Sequence, residues 1–131
     1  MKTAQDLVLD AKTRIREIGH QEMLALQQAG TPIVDVREPA EYLEGHIPGA
    51  INIPRGVLEF QVDGHPAVNC QQDPALAHRG SALVLCCRSG ARSTLAADAL
   101  RQLGFAEPLS LVGGFSGWLA AAGAVTAGEQ P

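Results

Sequence analysis

The chain has 131 residues, 46% of them hydrophobic and 18% charged, with a formal net charge of −4 and a mean hydropathy of +0.04. That is enough chain for one domain with a real core, and it excludes the weakly hydrophobic, highly charged class that stays disordered. No apolar run approaches the ~20 residues of a membrane span, and no basic block with interleaved aromatics marks a nucleic-acid binder, so neither a membrane nor a nucleic acid is an expected partner.

In chain order, positions 4, 7, 8, 11, 15 and 18 carry Ala, Leu, Val, Ala, Ile and Ile, the spacing of one helical face. Thr3 with Asp6 has the pattern of a capping box. These features predict a helix over about Thr3–Arg14 and a short extended piece around Ile15–Ile18. A second helix over Gln21–Ala29 follows, closed by Gly30. The β-branched run Ile33–Val36, bounded by Pro32 and Pro39, reads as a buried strand. Pro39 suits the first turn of a short helix through Tyr42 and Leu43. Gly45–Gly49 reads as a loop and Ala50–Ile53 as a second strand. Residues 54–81 are hard to read, with helical turns expected near Val57–Phe60 and after Pro74. Ala82–Cys86 is the most apolar strand and the expected centre of the sheet. A helix over Ser93–Leu103, a strand over Leu109–Val112 and a helix over Phe115–Ala121 complete the list, with the tail from Thr126 read as loose. Strands that are continuous apolar runs alternating with helices indicate a parallel sheet covered on both faces. In such sheets the functional crevice lies beyond the carboxyl ends of the strands.

The stretch LVLCCRSGARS, Leu83–Ser93, ends the central strand with two cysteines and follows them with two arginines, two serines and a glycine. Three cysteines, two of them adjacent, do not make a disulfide scaffold and fit a reducing compartment. The N-terminal MKTAQDLVLDAK has no signal-peptide pattern, so a cytoplasmic location is expected. Backbone amides at a helix start lack internal partners, and the macrodipole adds positive potential there. A Cys87 sulfur held over them, with Arg88 and Arg92 nearby, is favoured as the thiolate and as a nucleophile. The plain alternative, a small buried hydrophobe, fits Cys86 instead, because successive strand residues face opposite sides. Cys70 is read as an incidental loop cysteine. The histidines His20, His46, His65 and His78 show no metal-ligand spacing, so no metal is expected.

Three motifs resemble those of the single-domain rhodaneses, which are sulfurtransferases. CRSGARS resembles their active-site loop, IVDVREPAEYLEGHIPGAINIP (Ile33–Pro54) their first signature region, and LVGGFSGW (Leu111–Trp118) their C-terminal signature. The resemblance runs from about Ile18 to Gly123. It divides the chain into an N-terminal helical extension over 1–17, the domain over 18–123 and a tail over 124–131. It implies a three-layer α/β domain with a central five-stranded parallel sheet flanked by helices. It also implies a thiosulfate sulfurtransferase in which Cys87 is the catalytic nucleophile. Arg88, Ser89, Gly90, Ala91, Arg92 and Ser93 would form the substrate-binding cradle. The partners would be a small anionic sulfur donor such as thiosulfate and a thiophilic acceptor, whether cyanide, a small thiol or a protein thiol. No cofactor is expected beyond the covalent persulfide on Cys87. Asp35 and Arg37 are read as a paired, buried structural set, His46 as bonded within its loop, and the glycines 113, 114 and 117 as architectural. Two other readings stay open: a persulfide carrier or binding module for a specific protein, and a phosphatase or arsenate reductase on the same fold. The phosphatase loops resemble Cys-x5-Arg, whereas four residues separate Cys87 from Arg92.

Overall fold

The computed structural model describes residues 1–129. The strands are β1 (Arg16–Ile18), β2 (Ile33–Asp35), β3 (Ile51–Asn52), β4 (Ala82–Cys86) and β5 (Glu107–Leu111). The helices are α1 (Ala4–Lys12), α2 (His20–Gln28), α3 (Pro39–Glu44), α4 (Leu58–Val62), α5 (Ala91–Gln102) and α6 (Gly114–Ala120). The strands form one sheet in the order β1-β5-β4-β2-β3, every pair of neighbours parallel. The expected α/β architecture is present, with β4 at its centre. Among the described residues no helix is long and apolar enough to cross a membrane.

Side-chain alternation along the strands sorts the interior into two halves. Val34, Val36, Leu83, Leu85 and Cys87 face one side, where they pack with Leu58 and Val62 of α4 and Ala96, Ala97 and Leu100 of α5. Ile33, Val84, Cys86, Leu109 and Leu111 face the other, against Met23 of α2, Tyr42 of α3 and Phe115 and Trp118 of α6. Burial of these aliphatic chains supplies the main driving force, at ~25 cal/mol per Å² of apolar surface.

The capping box of α1 is formed, with the Asp6 N–H donating to Thr3 Oγ1 and the Thr3 N–H to Asp6 Oδ2. Val8 and Ala11 are buried, and Arg14, just past the helix, reaches Asp98 of α5 with two hydrogen bonds of 3.0 and 2.9 Å. β5 begins two residues before the expected Leu109. Pro108 interrupts the apolar run, but it lies where β1 has not yet begun to pair, a position that tolerates proline. The turns expected near Val57–Phe60 and after Pro74 are present as α4 with its preceding 3₁₀ turn and as a 3₁₀ turn at Pro74–Leu76.

The tail differs from its reading as loose. Thr126 and His46 exchange backbone hydrogen bonds of 3.0 and 2.8 Å, and the Gly128 N–H donates to Leu43 at 3.0 Å. Trp118 Nε1 donates to the Ala124 carbonyl at 2.7 Å. Backbone pairing of this kind leaves no trace in side-chain pattern, which is why the sequence does not announce it. Residues 130 and 131 of the expected tail lie outside the described residues.

Candidate active site

Cys87 follows the last residue of β4, and the turn Arg88–Gly90 leads straight into α5. Gly90 is the residue before the helix and has φ +107°, a left-handed conformation that side chains resist. That turn folds the chain back so that the start of α5 points at the sulfur. Cys87 Sγ receives the Gly90 N–H at 3.1 Å and the Ser93 N–H at 3.4 Å. Its S–H donates to Ser93 Oγ at 3.6 Å. The cysteine is 1% exposed, at the floor of the loop, while Arg88, Ser89 and Ala91 are exposed above it. Two amides directed at one sulfur stabilise negative charge on it.

The loop is held open from behind by α6. The Phe115 N–H donates to the Cys87 carbonyl at 2.7 Å and the Ser116 N–H to the Arg88 carbonyl at 3.0 Å. Engaging these carbonyls on the outside leaves the loop amides free to turn inward. The approach is so close that a Cβ on Gly114 would lie 2.4 Å from the Cys87 oxygen. Gly114 also has φ +54°, so only glycine fits there. The C-terminal motif thus serves the cysteine loop mechanically.

Both loop arginines are engaged. Arg92 forms a fork on Glu41 of α3, with bonds of 2.8 and 3.1 Å, and Arg88 Nε donates to the same carboxylate at 3.4 Å. The Arg92 guanidinium, with help from the Glu38 amide and Arg88, holds the Glu41 carboxyl down to about 2. Glu41 therefore stays an anion at any ordinary pH and offsets part of the positive charge expected at the mouth. Sequence reading missed it. Its spacing from Glu38 marks only a helix start, where the Glu38 N–H indeed donates to Glu41 Oε1.

Asp35 and Arg37 form the buried pair expected of them. Arg37 donates to both Asp35 oxygens at 2.8–3.1 Å and to the Gly45 carbonyl at 2.8 Å. Its guanidinium stacks 4.4 Å from the Phe115 ring centroid. The pair thereby fixes α6 as well as the turn after β2. Asn52 donates to the Asp35 and Arg37 carbonyls, closing the same corner. His46 bonds the Tyr42 carbonyl at 2.9 Å and stacks on the Tyr42 ring. Cys86 is fully buried on the opposite face of the sheet, and that burial, with Asp35 nearby, pushes its thiol well up. Cys70 is exposed in the connection between α4 and β4.

A shallow groove of about 250 Å³ runs beside the loop, lined by Ser89, Gly90, Ala91, Val112, Gly113 and residues of α1 that include Lys12. The N-terminal helix thus reaches the edge of the site.

The chain matches the family description "Rhodanese-like domain" over residues 19–121. It is 33% identical over 103 residues to thiosulfate sulfurtransferase GlpE of Pseudomonas paraeruginosa, covering 79% of this chain and 83% of that one. It is 31% identical over 86 residues, 66% of its length, to a Bacillus subtilis protein assigned provisionally as a sulfur carrier, of which it spans 40%. Among solved structures, one from Rhodopseudomonas palustris, described as a protein of unknown function and possible tyrosine phosphatase, aligns with TM-score 0.84 and 29% identity over 96% of both chains. The human single-domain sulfurtransferase TSTD1 aligns with TM-score 0.69 and 28% identity, over 79% of this chain and 95% of that one. The family match runs from the residue before α2 to the residue after α6, and this chain belongs to the rhodanese-like domain family.

Proposed function

We propose that this protein is a thiosulfate sulfurtransferase of the rhodanese type, working through a persulfide on Cys87. The observation that carries this reading is the sulfur itself, set under the Gly90 and Ser93 amides with four residues between it and Arg92. The Cys87 thiolate attacks the outer sulfur of thiosulfate. A new S–S bond forms as the bond to the sulfite sulfur breaks, and the electron pair leaves with sulfite. The persulfide's terminal sulfur carries the negative charge, and the loop from Arg88 to Ser93 supplies donors to it. Cyanide or a thiol then attacks that terminal sulfur and takes it, which regenerates the Cys87 thiolate. No further cofactor enters this balance. A free nucleophilic thiol suits a reducing, cytoplasmic setting.

Intact mass of the reduced protein after thiosulfate, and again after cyanide, tests the reading. One sulfur atom is expected to appear on Cys87 and to leave as thiocyanate. Cys87→Ser abolishes the uptake, whereas Cys86→Ser, on the other face of the sheet, leaves it largely intact. Loss of uptake in a folded Cys86→Ser protein alone would overturn the assignment.

A carrier that passes persulfide to a protein acceptor is the second reading, favoured by the sulfur-carrier assignment of the Bacillus subtilis relative. It predicts uptake from a protein or small-molecule persulfide with little from thiosulfate. The phosphatase description of the Rhodopseudomonas palustris structure predicts no sulfur uptake and hydrolysis of an aryl phosphate. The short loop favours a single sulfur over a tetrahedral phosphate.

A further inference from the structure

Beneath the sulfur lies a cluster of three side-chain hydroxyls that the sulfur-transfer chemistry above does not use. Ser93 and Thr94 of α5 and Ser110 of β5 are all buried, at 0%, 0% and 1% exposure. Ser110 stands between Leu109 and Leu111, which face the opposite half of the core. Burying a hydroxyl in such a strand is unfavourable unless it is hydrogen-bonded, and this one is. Ser110 Oγ lies 2.9 Å from Ser93 Oγ and 3.4 Å from Thr94 Oγ1. The Gly90 carbonyl accepts from Thr94 Oγ1 at 2.8 Å and from Ser93 Oγ at 3.1 Å.

Counting protons on this cluster gives an asymmetry. Three hydroxyls carry three protons, and the Gly90 carbonyl takes two of them although the Thr94 N–H, donating at 3.0 Å, already satisfies it. With the thiol protonated, S–H donates to Ser93 Oγ and the Ser93 proton points at Gly90. Once the thiol proton has passed to water, Ser93 Oγ no longer accepts from sulfur. Its own proton is then free to turn from Gly90 to Sγ. The carbonyl it leaves stays satisfied by the Thr94 N–H and hydroxyl. Ser110, whose proton is the one not spent on Gly90, is the donor to Ser93 Oγ, which polarises the Ser93 hydroxyl as a donor in turn.

We propose that Ser110 and Thr94 are positioning residues for Cys87, which let the Ser93 hydroxyl swing its hydrogen bond from the Gly90 carbonyl to the sulfur when the sulfur is anionic. Ser110 supplies the incoming bond to Ser93 Oγ, and Thr94, through its N–H as well as its hydroxyl, keeps the Gly90 carbonyl satisfied when Ser93 leaves it. No covalent bond is made or broken in this step. The inference rests on Cys87 as the reactive thiol but on no particular sulfur donor.

The test is a pH titration of the ultraviolet thiolate absorbance, with the signal of the same protein carrying Cys87→Ser subtracted. This readout is independent of sulfur transfer, so failure here and failure of the proposed activity are distinguishable. Ser110→Ala is expected to move the Cys87 titration midpoint up by about one pH unit, a tenfold loss in the thiolate equilibrium, the scale of one weakened charge-assisted hydrogen bond. Thr94→Val, which keeps the side-chain shape and removes only the hydroxyl, is expected to act in the same direction but by much less, because the Thr94 N–H still holds the Gly90 carbonyl. Ser93→Ala should shift the midpoint at least as far as either, and Ser110→Thr, which retains the hydroxyl, should restore the parent value. A purely packing role would change the melting temperature and leave the midpoint alone. Midpoints for Ser110→Ala and Thr94→Val that both coincide with the parent's would overturn the proposal.

Discussion

At Glu41 one carboxylate meets two guanidiniums beside the Cys87 loop. Arg92 forks onto it and Arg88 touches it, so under the proposed function an incoming thiosulfate dianion would compete with a resident anion for the same donors. The geometry resembles a bidentate carboxylate complex of the kind arginine also makes with other oxyanions. Glu41→Gln keeps the shape and the bond from the Glu38 amide but removes the charge. Its KM for thiosulfate is expected to fall about three- to tenfold with kcat little changed, measured at fixed ionic strength because the effect is screened by salt. A higher KM would instead mean that Glu41 holds the arginines where the donor needs them. Buried Cys86 gives the contrasting case, a thiol whose surroundings keep it protonated and out of the chemistry. The adjacent pair CysCys is thus divided by nothing more than strand alternation.

Among the elements, α6 and the cysteine loop act as one unit. Gly114→Ala places a methyl against two carbonyls and demands a left-handed backbone of a residue that resists it. The backbone conformation alone costs about 1–3 kcal/mol, and relief of the clash must move the Cys87 and Arg88 carbonyls. Chemical denaturation is expected to show that loss, and sulfur uptake from thiosulfate to fall more than tenfold. A stable, fully active variant would show that α6 does not set the loop. Elements of this sort were legible in the sequence where a local signal exists. The Thr3–Asp6 box, Pro39 at the start of α3 and Gly30 after α2 each mark an end by their own chemistry. The apolar run likewise placed Cys87 at the end of the central strand, just before α5. What stayed hidden depends on contacts between distant segments. The Glu41–Arg92 fork, the hydroxyls of Ser110 and Thr94 and the pairing of Thr126 with His46 join residues whose local context is an ordinary helix, strand or tail. Segment 54–81 was opaque for another reason: its helices are single turns, too short to display a period.

For the molecule as a whole, acid stability follows from carboxylates that the fold holds ionised. Asp98 accepts from Arg14 and Arg101, and chiefly the Arg14 bonds lower it from an ordinary 3.8 to about 2. Glu41 is lowered likewise, from 4.5 to about 2. A carboxyl depressed in the folded state contributes stability that is complete above its unfolded value and is lost as pH falls through the folded one. Melting temperature is therefore expected to drop between about pH 4.5 and 2. Asp98→Asn should destabilise the fold near neutrality by roughly 1–3 kcal/mol of lost charged hydrogen bonding, lowering the melting temperature there and flattening that acid-side drop. An unchanged pH dependence would mean that the link between α1 and α5 does not bear on folding. The strand order carries a consequence of a different kind, in time rather than energy. Among the described residues, β1, at residues 16–18, has β5, at residues 107–111, as its one neighbour in the sheet. On the ribosome the first strand made must therefore wait, with its edge open, until the last strand has emerged. Pairings this distant along the chain are slow to close, so sealing that edge, with α1 beside it, belongs at the end of folding.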